Sequence, residues 1–168
     1  MALARRLLAA CVALALPALA GCGFTPLYAA PGVTPGLASV EVITPEGRTG
    51  HLLSENLQDD LAIDRGRPAL YRLALAVDEK RYARGLSTEE VATWYELSVQ
   101  VSYSLVEIAS GRTLTAGVMP VNVSYNAVND PYAGIVAQQD GQKRAAAEAA
   151  QRIRIQLGAY FAGQAKTP

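Results

Sequence analysis

The stretch TWYELSVQVSYSL (93–105) most constrains the fold, because polar and apolar side chains alternate along it almost without exception. One face carries Tyr95, Leu97, Val99, Val101, Tyr103 and Leu105, and the other carries Trp94, Glu96, Ser98, Gln100, Ser102 and Ser104. Successive side chains of a β-strand point to opposite faces. The pattern therefore predicts a long strand with one buried face and one largely polar face.

Two further alternating segments flank this strand. Residues 69–77 place Tyr71, Leu73, Leu75 and Val77 on one face, and residues 114–125 alternate with a change of phase beside Gly117. The phase change predicts a β-bulge at the glycine. ASGRT (109–113) predicts a hairpin turn before the third of these strands. Pro120 cannot donate to a ladder, so we expect that strand to have a free edge.

Two helical segments complete the pattern. Leu53, Leu57 and Leu61 recur every four residues and predict one amphipathic helix after a short strand at 39–43. A second, longer helix begins after NDPYAG, because Asp130 is a good cap and proline fits the first helical position. We expect an interruption of that helix near Gly141.

The element order is therefore β-α-β-β-β-α. Each helix has one apolar stripe, and each strand has one apolar face. An α+β two-layer sandwich satisfies them all, with two helices packed on one face of a mostly antiparallel four-stranded sheet.

The N-terminus has the composition of a secretory signal. Arg5 and Arg6 precede an apolar run from Leu7 to Ala18, which is too short to span a bilayer as a helix. Small residues then lead to Cys22. The predicted organisation is a cleaved lipoprotein signal peptide (1–21), a lipid-anchored N-terminus and tether (22–38), one α+β domain (39–163) and a flexible tail (164–168).

The order Leu-Ala-Gly-Cys resembles the lipobox of bacterial lipoproteins. That resemblance implies cleavage between Gly21 and Cys22 and acylation of Cys22, which anchors the chain in the membrane. Two or more acyl chains give stable anchoring, whereas one gives only marginal binding. Gly23 stands where lipoproteins retained at the inner membrane commonly carry aspartate, which favours the outer membrane. An ordinary signal peptide with a chance cysteine is the alternative.

No pattern in the sequence predicts catalysis. His51 is the one histidine, and no aspartate completes a triad with it and Ser54 by spacing. Metal sites need clusters of histidine, cysteine or carboxylate side chains, so we expect no metal, no cofactor and no enzyme activity. The formal net charge is zero, which does not favour nucleic acid as a partner.

The polar face of the predicted sheet is the first candidate binding surface. It is uncharged and rich in hydrogen-bonding groups, and its members are Ser98, Gln100, Ser102, Ser104, Asn122 and Ser124. Such a face is either solvated or packs against a polar partner without burying unpaired charge.

Two segments together resemble one family. GCGFTPLY (21–28) is similar to the N-terminal phrase of the LPS-assembly lipoproteins of the LptE family, and residues 125–161 are similar to that family's C-terminal helix and the turn before it. The resemblance implies a non-enzymatic outer-membrane lipoprotein. Such a protein plugs an LptD-type β-barrel, helps to assemble it and takes part in lipopolysaccharide transport to the cell surface.

Direct lipopolysaccharide contact is also implied by the resemblance. Basic side chains bind phosphate groups, and DEKRYARG (78–85) supplies Lys80, Arg81 and Arg84 at a predicted strand end. Two other functions remain open from the residues alone. One is a freestanding lipid-anchored periplasmic module that binds a ligand, and the other is a lipoprotein enzyme whose site has no recognised pattern.

Overall fold

The structure is a computed structural model, and it describes residues 32–86, 92–126 and 131–164. The predicted signal peptide, Cys22 and residues 165–168 lie outside this part. The elements, in chain order, are α1 (Val33–Ala38), β1 (Val40–Val42), α2 (Gly47–Asp60), β2 (Tyr71–Leu86), β3 (Ala92–Glu107), β4 (Thr113–Asn126) and α3 (Pro131–Gln164).

The four strands form one sheet in the order β1-β2-β3-β4. β1 runs parallel to β2, and the other neighbours are antiparallel. The predicted α+β sandwich with a mostly antiparallel sheet is confirmed. The hairpin between β3 and β4 turns at Gly111, whose φ of 69° lies in the left-handed region that glycine adopts without strain.

The predicted alternation of β3 determines where the core lies. Leu97, Val101 and Leu105 are 0% exposed, and they pack with the buried faces of the neighbouring strands and helices. From the helices, Leu53 and Ile153 enter the same core. Burying a leucine or isoleucine side chain contributes roughly 1.5–3 kcal/mol, so this shared face accounts for the two-layer arrangement.

One prediction about the N-terminal boundary is wrong. Residues 33–38 were predicted to belong to a tether, but they form α1. Val33 and Leu37 point into the core and are 0% and 4% exposed. Proline is tolerated in the first turn of a helix, where Pro35 lies, so the Pro/Gly-rich composition does not exclude a helix here. The folded body therefore begins before the predicted limit at residue 39.

β2 is much longer than the predicted strand, which ended at Val77. It extends to Leu86 because its pairing with β3 continues in one register from Tyr71↔Glu107 to Leu86↔Ala92. The charged side chains of 78–84 obscure the period-2 pattern in the sequence. The ladder of backbone hydrogen bonds nevertheless continues through them, so DEKRYARG lies within a strand and not at its end.

Two glycine predictions are also wrong. The bulge lies at Leu105/Val106 and not beside Gly117. A Cβ at position 117 would lie 2.8 Å from the Tyr103 Oη, so the glycine makes room for that ring. α3 continues through Gly141 without a break. A Cβ there would lie 3.2 Å from Tyr125, so this glycine lets the helix approach β4 closely.

Pro120 lies in β4, which is an edge strand, as predicted. Its nitrogen faces away from β3, because the Pro120 carbonyl oxygen accepts a hydrogen bond from Arg152 on the outer side of the strand, and the N and O of one residue in an antiparallel strand point to the same side. The missing N–H therefore removes no hydrogen bond from the sheet.

Candidate functional site

All three helices pack on one face of the sheet, and no described element covers the other face. β2, β3 and β4 from Ala116 onwards carry their even-numbered side chains on this uncovered side, which we call the open face, and β1 carries Glu41 there. The structure brings together all six residues of the predicted polar surface here. Gln100, Ser102, Asn122 and Ser124 are exposed, and Ser98 and Ser104 are half-buried.

Two adjacent cross-strand rows of the open face consist of small or uncharged side chains. One row is Ala74, Ser104 and Ala116, and the next is Ala76, Ser102 and Val118. Small side chains leave the backbone of a sheet accessible to close approach. The polar surface predicted from the sequence omits Ala74 and Ala76, although their alternation with the buried Leu73 and the half-buried Leu75 identifies them as open-face residues.

One end of the open face is apolar. Leu70 is 57% exposed, Val118 is 53% exposed, and Ile43 and Ile108 are each 41% exposed. The Ile108 N–H donates to the Leu70 carbonyl oxygen, which places these two residues side by side. The sequence pattern suggested a largely polar face, but the open face also carries exposed apolar side chains.

The other end of the open face is charged and aromatic. Lys80 Nζ lies 2.9 Å from the Asp78 carboxylate, and Arg84 Nη2 lies 2.9 Å from the Glu96 carboxylate. The hydrogen bond that Lys80 donates to the Asp78 carboxylate holds the pKa of Lys80 above its ordinary value, so Lys80 carries its charge at neutral pH. The Arg84 guanidinium also lies 5.6 Å from the centre of the Tyr82 ring.

The three predicted lipopolysaccharide contacts do not lie together. Lys80 and Arg84 are on the open face, but Arg81 is on the helix side of the same strand. Arg81 Nη1 donates to Gln138 Oε1 over 2.9 Å, and its guanidinium lies 4.9 Å from the centre of the Tyr95 ring. The segment therefore presents two basic side chains on one face and one on the other.

On the helix side, Glu79 connects three elements. Its carboxylate accepts hydrogen bonds from Thr49 Oγ1 of α2 and from Gln142 Nε2 of α3, at 2.5 and 2.8 Å. Sequence spacing alone gives no signal for this contact, because the three residues lie far apart in the chain. It fixes the position of both long helices over β2.

Two surface grooves could hold small molecules. One, of about 310 Å³, lies beside β1 and is lined by Val40, Val42, Gln58 and residues 63–65, among others. The second, of about 590 Å³, includes His51, Glu55 and Lys143 in its lining. His51 is exposed and pairs with Glu55 one turn further along α2.

Within residues 32–86, 92–126 and 131–164, no three histidine, cysteine or acidic side chains are grouped so that they could bind a metal ion. In the same ranges, no helix has the length and hydrophobicity needed to cross a membrane.

The fold is similar to that of several bacterial lipoproteins. It matches the minor lipoprotein of Acinetobacter baumannii with a TM-score of 0.56 over 73% of this chain and 92% of that one, at 16% identity. It matches rare lipoprotein B of Shewanella oneidensis with a TM-score of 0.57 over 74% of this chain and 97% of that one, at 15% identity. At these identities the similarity concerns the fold alone.

A much higher identity links the chain to a protein of Caulobacter crescentus CB15 that is described as a "putative lipoprotein". The two are 45% identical, the match covers 79% of this chain and 97% of that one, and the TM-score is 0.69. The chain therefore belongs to the same lipoprotein family as the Caulobacter protein. No protein-family model matches the chain, and no curated protein sequence matches it.

Proposed function

We propose that this lipoprotein is anchored in the outer membrane, occupies the interior of an LptD-type β-barrel, helps to assemble that barrel, and takes part in lipopolysaccharide transport. The observation that carries the proposal is the open face, a bare sheet surface on which two adjacent rows, Ala74–Ser104–Ala116 and Ala76–Ser102–Val118, contain only small or uncharged side chains. The two sequence segments that resemble the LptE family support the same function.

The physical argument concerns what such a face can contact. Large outer-membrane barrels have polar interiors. The serine, asparagine and glutamine side chains of the open face can form hydrogen bonds to a polar wall. The charged side chains of this face are paired with one another, Glu41 with Arg72, Asp78 with Lys80 and Glu96 with Arg84. Contact with the wall therefore buries no unpaired charge, which would cost several kcal/mol. The small side chains of Ala74 and Ala76 allow the wall to approach the sheet closely.

The test is affinity purification of the tagged full-length chain from detergent-solubilised outer membranes. We expect an LptD-type barrel to be recovered with it in a fixed ratio. Ser102→Arg places a long charged side chain between Ala76 and Val118 on the open face, and we expect it to reduce recovery of the barrel strongly. Gln151→Arg adds the same charge to an exposed position of α3 and is the matched control. Equal recovery with both variants would refute a role for the open face.

Lipopolysaccharide contact is a separate part of the proposal. Lys80 and Arg84, which pair with Asp78 and Glu96, share the open face with Tyr82 and Trp94, and their cationic groups are the ones that would bind a phosphorylated lipid headgroup. Binding of lipopolysaccharide by the purified, unlipidated domain should fall when Lys80 and Arg84 are both changed to Glu. Arg81→Glu, on the opposite face, should have a smaller effect. Unchanged affinity in the double variant would contradict this contact.

The lipid anchor on Cys22 is tested independently of the barrel. Mass spectrometry of the N-terminal peptide should show cleavage after Gly21 and the added mass of the acyl chains, and Cys22→Ala should lose that mass. Gly23→Asp should move the protein towards the inner-membrane fraction. A native Cys22 without lipid would overturn the anchoring step.

The second candidate function is a freestanding lipid-anchored module that binds a periplasmic ligand. The groove of about 310 Å³ beside β1 is the observation that favours it. Recovery of the chain alone, together with a small molecule released on denaturation, would support this function over the first.

A further inference from the structure

The two edges of the sheet differ, and α3 covers part of the edge on β4. Its outward carbonyl groups at Pro120 and Ser124 accept hydrogen bonds from α3, at 2.8 Å from Arg152 Nη1 and 3.2 Å from Arg144 Nη2. Pro120 has no N–H to offer a further strand. Since exposed strand edges recruit other chains, these contacts make strand addition at β4 unfavourable.

The two arginines are fixed at the correct spacing by α3 itself. Arg144 pairs with Asp140 at 2.9 Å, and Arg152 pairs with Glu148, each one turn earlier in the helix. Eight helical residues span about 12 Å, and four strand residues span about 13–14 Å. The spacing of Arg144 and Arg152 along α3 therefore matches the spacing of Ser124 and Pro120 along β4.

The opposite edge, on β2, is uncovered over most of its length. β1 pairs only with Tyr71–Leu73, and one more bond joins the Ile43 N–H to the Leu73 carbonyl. The odd-numbered residues of β2 face this edge, because Tyr71 and Leu73 bond to the β1 side in a strand without a bulge. In the described part of the chain, no hydrogen bond engages the outward backbone groups of Leu75, Val77, Glu79, Arg81 or Ala83.

We propose that an extended segment of the barrel partner pairs with this edge and adds a strand beside Leu75–Ala83, in line with β1. The proposal rests on the proposed function and names a further contact in it. The strands of a barrel wall already have their backbone groups paired, so the added strand comes from a loop of the partner. Main-chain hydrogen bonds supply the affinity, as in other strand-addition complexes.

The side chains along the edge define the chemistry of that segment. Leu75 and Val77 are half-buried on the helix side, so we expect apolar side chains opposite them. Arg81 is exposed, and its partners within the described residues are the neutral Gln138 and Tyr95. A carboxylate opposite Arg81 would complement its charge. The Glu79 carboxylate already accepts two hydrogen bonds, so we expect a neutral side chain opposite it in the added segment.

Proline substitution tests the inference because the relevant N–H groups point away from β3. Val77→Pro and Ala83→Pro each remove one outward donor without removing a β2–β3 ladder bond, and the natural Pro120 shows that such a position accepts proline. We expect each to weaken association with the barrel about tenfold. Val77→Ala and Ala83→Ser alter the same side chains but keep the N–H, and they are the matched controls.

Circular dichroism and thermal unfolding of the purified domain show whether each proline variant still folds. Amide hydrogen exchange of the wild-type chain provides a measurement that needs no variant. The amides of Val77, Arg81 and Ala83 should exchange quickly in the free protein and slowly in the barrel complex.

The outcomes separate this inference from the proposed function. If the wild-type chain recovers no barrel, the proposed function fails and this inference fails with it. If the barrel is recovered but the edge amides stay unprotected and folded proline variants bind normally, only the inference is overturned. A wild-type dimer that Val77→Pro dissociates would identify a second copy of this chain as the occupant, which also overturns it.

Discussion

Gly50 of α2 lies directly against the backbone of Pro45, and a Cβ built on Gly50 would be 2.7 Å from the Pro45 carbonyl oxygen. Pro45 belongs to the connection between β1 and α2, so this contact sets how the helix starts after the edge strand. A backbone oxygen cannot move aside as the end of a side chain can. The position therefore requires glycine, despite the cost of glycine in a helix.

Gly50→Ala should consequently destabilise the domain by about 1–3 kcal/mol, the usual range for overpacking a well-packed site. Gly134→Ala is the matched control, because that glycine lies in α3 with no atom within 4 Å of the added Cβ. The control should stabilise the domain by up to about 1 kcal/mol through helix propensity. Urea unfolding of the purified domain measures both, and the same sign for the two variants would contradict the contact.

Glu79 should contribute to stability through its two hydrogen bonds. Glu79→Gln weakens the charge-assisted bonds from Thr49 and Gln142, and we expect a loss of about 1–3 kcal/mol. Glu55→Gln makes the same chemical change at an exposed position of α2 and should have little effect. Denaturant midpoints compare the two variants, and equal stabilities would show that Glu79 does not tie the helices to β2.

The arginines of α3 should keep the β4 edge closed. The double variant Arg144→Ala/Arg152→Ala frees the carbonyl groups of Ser124 and Pro120, so we expect self-association to increase with protein concentration. The loss of monomer stability should be only about 1 kcal/mol per bond. Light scattering measures the association. Lys143→Ala removes a charge from the same helix without freeing the edge, and it should remain monomeric at the same concentrations.

Tyr103 should make the domain less stable at high pH. Burial raises the pKa of its phenol above the ordinary value of 10.0, so the folded state keeps the proton when the unfolded state has lost it. The stability from this group is fully present below about pH 10 and is lost as pH rises towards and through the raised pKa. Above pH 10, the unfolding midpoint should therefore fall less steeply with pH for Tyr103→Phe than for the wild type. Parallel pH profiles would contradict this origin.

The sheet and its covered face could be predicted because they follow from local alternation. Leu97, Val99 and Val101 face the helices as the pattern of 93–105 required, and the same pattern placed Ser98, Gln100 and Ser102 on the open face. Each of these assignments depends only on the two-residue period of a strand. Tertiary contacts confirmed the pattern and did not alter it.

The errors occurred where long-range contacts override local composition. The charged residues 78–84 have no apolar period, yet pairing with β3 holds them in β2 and separates Arg81 from Lys80 and Arg84. Gly117 and Gly141 were expected to interrupt a strand and a helix. Both instead make room for a tyrosine, Tyr103 and Tyr125 respectively, from a neighbouring element. Such spatial neighbours cannot be identified from sequence spacing.

The N-terminal boundary of the domain allows a direct test of whether residues 33–38 are a tether or part of the folded core. α1 covers one end of the core, with Val33 and Leu37 buried and Gly36 so close to the Phe161 ring that a Cβ would lie 2.8 Å from it. If residues 33–38 were a tether, removing the Leu37 side chain would have little effect. Because the side chain is 4% exposed, Leu37→Ala should instead cost about 2–5 kcal/mol.

Leu70→Ala provides the comparison for this prediction, because the same atoms are removed from a side chain that is 57% exposed. Its cost should be small, since little apolar area leaves a buried environment. Truncation gives a second comparison. A domain that starts at Gly32 should unfold cooperatively with near wild-type stability, whereas one that starts at Ser39 lacks α1 and should unfold at much lower urea. Equal midpoints for the two truncations would show that α1 adds nothing to the folded domain.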